Sequence, residues 1–265
     1  MSCISPVTAA VYENGKRTKQ RMFVPCGRCY NCLMVKRVKW FVRIYLQSLV
    51  SKYTNFLTLT YTDRELPEYG SLCKRDIDLF LKKVRHILTD KENFRFFIAG
   101  EYGGSTYRPH YHAIIFTSNM QDVKTFIGAW RNTHGEVDVS NSCHETMMYC
   151  THHIIGRSQH PDIDVREKPF LKSSRRPALG VDYMLKHKGR FTDNHDFSFK
   201  IDGSKYCIPS FLVYKIMDKK EFSYDPVEND SWFQGIKDCD SAIQLAAYKL
   251  SQEKILHSLK KRKKL

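Results

Sequence analysis

Two runs of β-favouring residues, Phe94-Arg95-Phe96-Phe97-Ile98-Ala99 and Tyr111-His112-Ala113-Ile114-Ile115-Phe116, are separated by a short segment marked by Gly100, Gly103 and Gly104, and this spacing restricts the fold more than any other feature. A connection this short makes the two strands antiparallel neighbours. Alternate side chains of a strand share a face, so His110 and His112 stand side by side. Glu101, at the far end of the first strand, arrives at the same end of the sheet. A bare His-x-His is more often a pair of structural histidines, and a lone turn glutamate is often simply solvated. The three together form a candidate metal-ligand set, with open positions for a substrate oxygen. Mn²⁺, Mg²⁺ and Zn²⁺ all suit it.

The surrounding pattern predicts one catalytic domain over residues 53–190, preceded by a Cys-rich turn and basic amphipathic helix (1–52) and followed by a C-terminal extension with a terminal helix and basic tail (191–265). Met34, Val38, Phe41, Val42, Tyr45 and Leu49 recur at helical spacing, with Lys and Arg expected on the opposite face. Residues 53–61 read as a strand. Ile77, Phe80, Leu81, Val84, Ile87 and Leu88 mark a second helix, and the strands at 94–101 and 109–117 follow. Ser118-Asn119-Met120-Gln121 matches a capping box that opens a helix carrying Val123, Phe126, Ile127 and Trp130. Residues 158–180 read as a loop and 240–259 as a terminal helix. The expected class is α+β: helices packed on an antiparallel sheet, ferredoxin-like or RRM-like.

Lys and Arg outnumber Asp and Glu by 43 to 28, for a formal charge of +15. That balance favours polyanionic partners through counterion release. Aromatic residues make up 13% of the chain and supply stacking surface of the kind single-stranded nucleic acid uses, although most belong to the core. The run Lys260 to Lys264 reads as a phosphate-binding or solubilising tail.

Nine cysteines need an account. The N-terminal residues carry no apolar signal-like run and no stretch approaches a membrane span, so a reducing compartment with free or metal-bound thiols is expected. Cys26-x-x-Cys29-x-x-Cys32 has the spacing of a zinc knuckle. Three thiolates hold Zn²⁺ well only with a fourth ligand, from Cys3 or a histidine; a tight turn with buried thiols is the competing reading.

The motif Gly100-Glu101-Tyr102-Gly103 ahead of His110-Tyr111-His112, with Phe56-Leu57-Thr58-Leu59-Thr60-Tyr61 upstream, resembles the HUH endonuclease superfamily of rolling-circle replication initiators. Val24-Pro25-Cys26-Gly27-Arg28-Cys29-Tyr30-Asn31-Cys32, the following Trp40 and Arg43, and Ser173-Ser174-Arg175-Arg176-Pro177-Ala178-Leu179-Gly180 narrow the resemblance to the initiators of gokushovirus-type microviruses, small single-stranded DNA bacteriophages. The resemblance runs from about residue 20 to about residue 190. It implies a metal-dependent nickase and strand transferase in the host bacterial cytoplasm. Such an enzyme uses Mn²⁺ or Mg²⁺ at the histidine pair, acts on single-stranded or supercoiled phage DNA at its origin, and leaves a 5′-phosphotyrosine and a free 3′-hydroxyl that host helicase and polymerase extend. Arg37, Arg43, Arg108, Arg175 and Arg176 are the expected DNA contacts.

Relatives in that superfamily place Tyr-x-x-x-Tyr-x-x-Lys on a helix about 40 residues after the second histidine. Here the corresponding segment is Met147 to Arg157: Tyr149 takes the place of the first tyrosine, while His152, His153 and Gly156 stand where lysine and a second tyrosine are expected. Tyr149, with His152 one turn away as base or acid, is the first candidate nucleophile. Tyr183-Met184-Leu185-Lys186 is a second, since Tyr183 and Lys186 also share a helical face. A different class of function stays open at this point, namely a non-catalytic single-strand binder whose altered tyrosine segment marks a lost active site. Oligomeric state is likewise open.

Overall fold

The computed structural model describes residues 3–13, 16–156, 165–194 and 197–216. A hairpin of β1 (Val7–Glu13) and β2 (Lys16–Val24) leads through the cysteine turn into the helix α1 (Tyr30–Ser48). Then come β3 (Tyr53–Thr60), α2 (Lys74–Ile87), β4 (Arg95–Tyr102), β5 (Pro109–Thr117), α3 (Asp122–Arg131) and β6 (Val137–Asn141). The helix α4 (His144–Gly156), strand β7 (Phe170–Ser173), helices α5 (Val181–Lys186) and α6 (Lys188–Asn194), hairpin β8 (Ser198–Ile201) and β9 (Ser204–Cys207), and helix α7 (Ser210–Ile216) complete the described chain. The helix expected at 240–259 and the basic tail at 260–264 lie outside the described residues.

The main sheet has the order β6-β3-β5-β4-β7, with every neighbouring pair antiparallel. Strand β5 lies between β3 and β4, and β3 lies between β5 and β6, so the two helix crossovers form interlocked split β-α-β units of the ferredoxin-like kind. The expected α+β class with an antiparallel sheet and flanking helices is therefore the one observed.

Both faces of this sheet are covered, which explains why β4 and β5 read as nearly continuous apolar runs. On one face Phe96, Ile98, Tyr111, Ala113 and Ile115 meet Ile77, Phe80, Leu81 and Val84 of α2 and Phe126, Ala129 and Trp130 of α3. On the other, Phe97, Ala99, Ile114 and Phe116 meet Met34, Val38, Phe41 and Val42 of α1 and Met147, Cys150 and Ile154 of α4. The period of two then puts His110 and His112 on the α1/α4 side, at the end of the strand where the apolar packing stops. Tyr111 between them points the opposite way: its hydroxyl meets that of Tyr61 at 2.9 Å and accepts from the Cys73 amide at 2.8 Å, anchoring β5 to the start of α2.

Three local expectations need correction. The capping box at 118–121 does not form, because Ser118 turns its hydroxyl to Asp90; Asn119 instead accepts from the Gln121 amide through its side chain, and its carbonyl accepts from Asp122. The segment 158–180 is not all loop, since Phe170–Ser173 adds an edge strand to β4, with Phe97 opposite Ser173 and Gly100 opposite Phe170. On α1, Arg37 lies inside the protein and not on a solvated basic face.

Gly135 is a point of close approach in this frame. A Cβ there would meet the Thr60 carbonyl oxygen and lie 2.6 Å from the Thr62 nitrogen, where the Thr60 and Thr62 amides donate to the carbonyls of Glu136 and His134. Gly135→Ala is expected to destabilise the fold by about 3 kcal/mol through overpacking against backbone that has nowhere to retreat. A shift of the urea midpoint with an unchanged slope measures it; an unshifted midpoint contradicts it.

Candidate metal centre and nucleophile

The strand register builds the site. Glu101 of β4 sits directly opposite His110 of β5, and Thr58 of β3 sits opposite His112. One oxygen of Glu101, Oε1, lies 2.9 Å from His110 Nε2 and 3.0 Å from His112 Nε2. Each ring is also held from behind. His110 Nδ1 donates to the Arg108 carbonyl at 3.2 Å, and His112 Nδ1 pairs with the Thr58 hydroxyl at 3.2 Å. Phe56 stacks on His112 with ring centroids 5.4 Å apart. Outer contacts of this kind fix ring orientation and aim the Nε2 atoms at one point.

Burial opposes a charged His110, but the Glu101 carboxylate and the Arg108 carbonyl outweigh it, and its pKa is raised. With Nδ1 donating to a carbonyl, Nε2 must also carry a proton when it donates to Glu101, so the ring is an imidazolium there. That second proton is the one a divalent cation would replace. Two imidazole nitrogens and a carboxylate oxygen, all within 4.8 Å of one another, suit such a cation while leaving positions open.

The helix α4 brings the third function. Its Met147, Cys150 and Ile154 are buried in the core, and this leaves Tyr149 on the side that overlooks the histidines, 48% exposed. The Tyr149 hydroxyl lies 3.4 Å from His112 Nε2, and the two rings meet edge-on at 5.0 Å. Burial first, then the negative charge of Glu101, raises the Tyr149 pKa. A cation among the ligands would reverse the second of these effects.

Glu101, His110, His112 and Tyr149 thus converge, and His152 stands half-buried one turn along the same helix. Tyr183 does not join them. It is a core residue, 9% exposed, with its ring against His187 and Phe191, and Lys186 beside it faces solvent.

Two of the five arginines expected at DNA are occupied elsewhere. Arg37 is 6% exposed and donates to the Met148 carbonyl at 3.1 Å, tying α1 to α4. Arg43 donates to the Leu179 carbonyl and lies 3.9 Å over Trp40, and burial pulls its pKa down to about 10. Arg108 is half-exposed, held by Asp63 at 2.6 Å and the Tyr61 carbonyl at 3.0 Å. Arg175 and Arg176 are exposed and line a groove of about 850 Å³ with Arg85 and Lys91, by the far end of β4 from Glu101.

Sequence reasoning missed the supporting residues Phe56 and Thr58, whose signal was their alternation with the buried Leu57 and Leu59. It also missed the β1–β2 ribbon. There Arg17, Lys19 and Arg21 are exposed on one face of β2, with Phe23, 75% exposed, at its end.

A family model for replication-associated proteins of the ORF2 type matches residues 54–155, a span that holds Glu101, His110, His112 and Tyr149. The chain is 28% identical over 242 residues to replication-associated protein VP4 of Bdellovibrio phage phiMH2K, covering 80% of this chain and 76% of that protein. It is 29% identical over 126 residues to replication-associated protein ORF2 of Spiroplasma virus 4, covering 44% and 39% of the two chains. Against replication-associated protein ORF4 of Chlamydia phage 1 it is 22% identical over 248 residues, 83% of this chain and 60% of the other. No solved structure matches. No helix among the described residues is long and apolar enough to cross a membrane. The resemblance carried by the sequence motifs is borne out, and the chain groups with the replication-associated proteins of microviruses.

Proposed function

We propose that the protein initiates rolling-circle replication by nicking single-stranded DNA at the phage origin. The Tyr149 oxygen attacks the scissile phosphorus, an O–P bond forms to give a 5′-phosphotyrosine, and the bond to the 3′-oxygen breaks. The phenolic proton leaves toward His152 or water, and the departing 3′-oxygen takes up a proton to become the hydroxyl from which synthesis starts. A divalent cation, Mn²⁺ or Mg²⁺, held by Glu101, His110 and His112 would supply Lewis-acid polarisation of the phosphate. The chain's own part is positional: β4 and β5 present three ligands, Thr58 and the Arg108 carbonyl orient the rings, and α4 sets the phenol beside them. The observation that carries the proposal is the 3.4 Å approach of the Tyr149 hydroxyl to His112 Nε2, which unites residues 37 apart in the chain.

The test is incubation with Mn²⁺ and single-stranded DNA carrying the origin region of the genome that encodes the protein, followed by denaturation and peptide mapping. A denaturation-resistant adduct on Tyr149, lost with EDTA, is expected. An adduct on Tyr183 would move the nucleophile. DNA bound equally with and without EDTA, and no adduct at all, would leave a non-catalytic binder.

The ribbon gives this reading a substrate surface. Arg17, Lys19 and Arg21 on one exposed face are suited to the phosphate backbone. Replacing all three by Gln is expected to reduce the slope of log Kobs against log salt by about 2 for single-stranded DNA, at about 0.7 per phosphate contact. An unchanged slope would show that the ribbon does not touch phosphates.

A further inference from the structure

The cysteine turn closes into a four-sulfur cluster that the reaction proposed above does not use. Hairpin register explains how. Val7 pairs with Val24, so the chain before β1 and the chain after β2 leave the ribbon side by side, and Cys3 meets Cys26, Cys29 and Cys32. The four Sγ atoms lie within 4.8 Å of one another, with Cys3–Cys29 at 3.8 Å and Cys26–Cys32 at 3.9 Å. Zinc–sulfur bonds of about 2.3 Å in a tetrahedron require sulfur–sulfur edges of about 3.8 Å. A disulfide instead needs about 2.05 Å.

The backbone is arranged for thiolates. The amides of Ser5 and Cys26 donate to Cys3 Sγ at 3.4 and 3.3 Å, and the Cys29 amide donates to Cys26 Sγ at 3.3 Å. Amide donation from Arg28 and Cys29 draws the Cys26 pKa down to about 6. Gly27, at a φ of +73°, makes the turn between the first two cysteines of the turn motif.

We propose that Cys3, Cys26, Cys29 and Cys32 hold one structural Zn²⁺ as a closed four-thiolate site. Cys3 supplies the fourth ligand, and no position is left for substrate. The ion would pin three segments together: the chain entering the ribbon, the chain leaving it, and the N-terminus of α1, where Cys29 is the cap residue. Because α1 packs on α4, which carries Tyr149, the clip would fix the ribbon relative to the catalytic face.

The test uses the full chain with both histidines replaced, His110→Ala and His112→Ala, so that the other candidate centre cannot contribute. One equivalent of zinc is expected to survive dialysis. Replacing it with Co²⁺ should produce intense thiolate-to-cobalt charge transfer with tetrahedral ligand-field bands, and the four cysteines should resist alkylation until a chelator is added. In the same background Cys3→Ser should lose part of the charge-transfer intensity. No retained zinc, a cobalt spectrum lacking thiolate bands, an unchanged spectrum in Cys3→Ser, or recovery of these cysteines as disulfides would overturn the proposal. The spectrum of the unsubstituted thiols decides the matter even if Cys3→Ser fails to fold.

Discussion

Tyr149→Phe is expected to abolish nicking and adduct formation, a fall of at least about 10⁴-fold in turnover, while leaving thermal stability close to that of the parent. The substitution deletes one oxygen and keeps the ring that packs edge-on against Phe56 and His112, so lost chemistry is separated from lost structure. The neighbouring phenols of the sheet are not placed to substitute. Tyr61 and Tyr111, on its opposite face, are bonded to each other, and burial pushes the pKa of each far up. Tyr183→Phe should behave in the opposite sense, with adduct yield unchanged. A Tyr149→Phe protein that still formed a full yield of adduct would remove the central residue of the proposed mechanism.

The two tyrosines also show where local sequence stops being informative. The strands at 53–60, 95–102 and 109–117 are legible because alternation and β-branched or aromatic runs are local signals, and local signals are enough to align Glu101 with His110 and His112. Choosing between Tyr149 and Tyr183 is a different problem. It depends on how α4 returns across the sheet after β6, and both tyrosines carry the same helical spacing to a basic or titratable neighbour.

Arg37 is nearer to legible than its charge suggests. Counted along α1, it falls between Met34 and Val38 and four residues before Phe41, within the buried stripe; a buried arginine at such a position needs a carbonyl, and Met148 supplies one. The short strands are not legible for a plainer reason. Val137–Asn141 has two apolar residues in five, Phe170–Ser173 follows a proline, and the ribbon's second strand is mostly basic, so pairing with a neighbour and not internal pattern makes each of them a strand. Cys3 cannot be singled out as the fourth sulfur without the hairpin register that returns it to Cys26.

His112→Ala should be the most damaging change at the histidine pair, because it removes one metal ligand and the group nearest the Tyr149 hydroxyl at once. A fall of more than about 100-fold in Mn²⁺ affinity is expected, exceeding the roughly 10–100-fold typical of losing an orienting partner, which is the range expected for Thr58→Val. Isothermal titration of both variants checks the order, and equal losses would contradict it.

Proton competition makes the same point through pH. The raised pKa of His110 means that, without metal, its pairing with Glu101 contributes stability in full below the unfolded-state value of about 6.5, and that contribution is lost as pH rises through the higher folded value. Metal binding runs the other way, since the cation displaces the imidazolium proton and gains affinity as pH rises across the same window. The melting temperature of the protein with Mn²⁺ and without it should therefore diverge as pH increases above about 6.5, and His110→Ala should flatten the divergence. Parallel pH profiles for the two forms would mean that His110 is not a ligand, whatever its distance from Glu101.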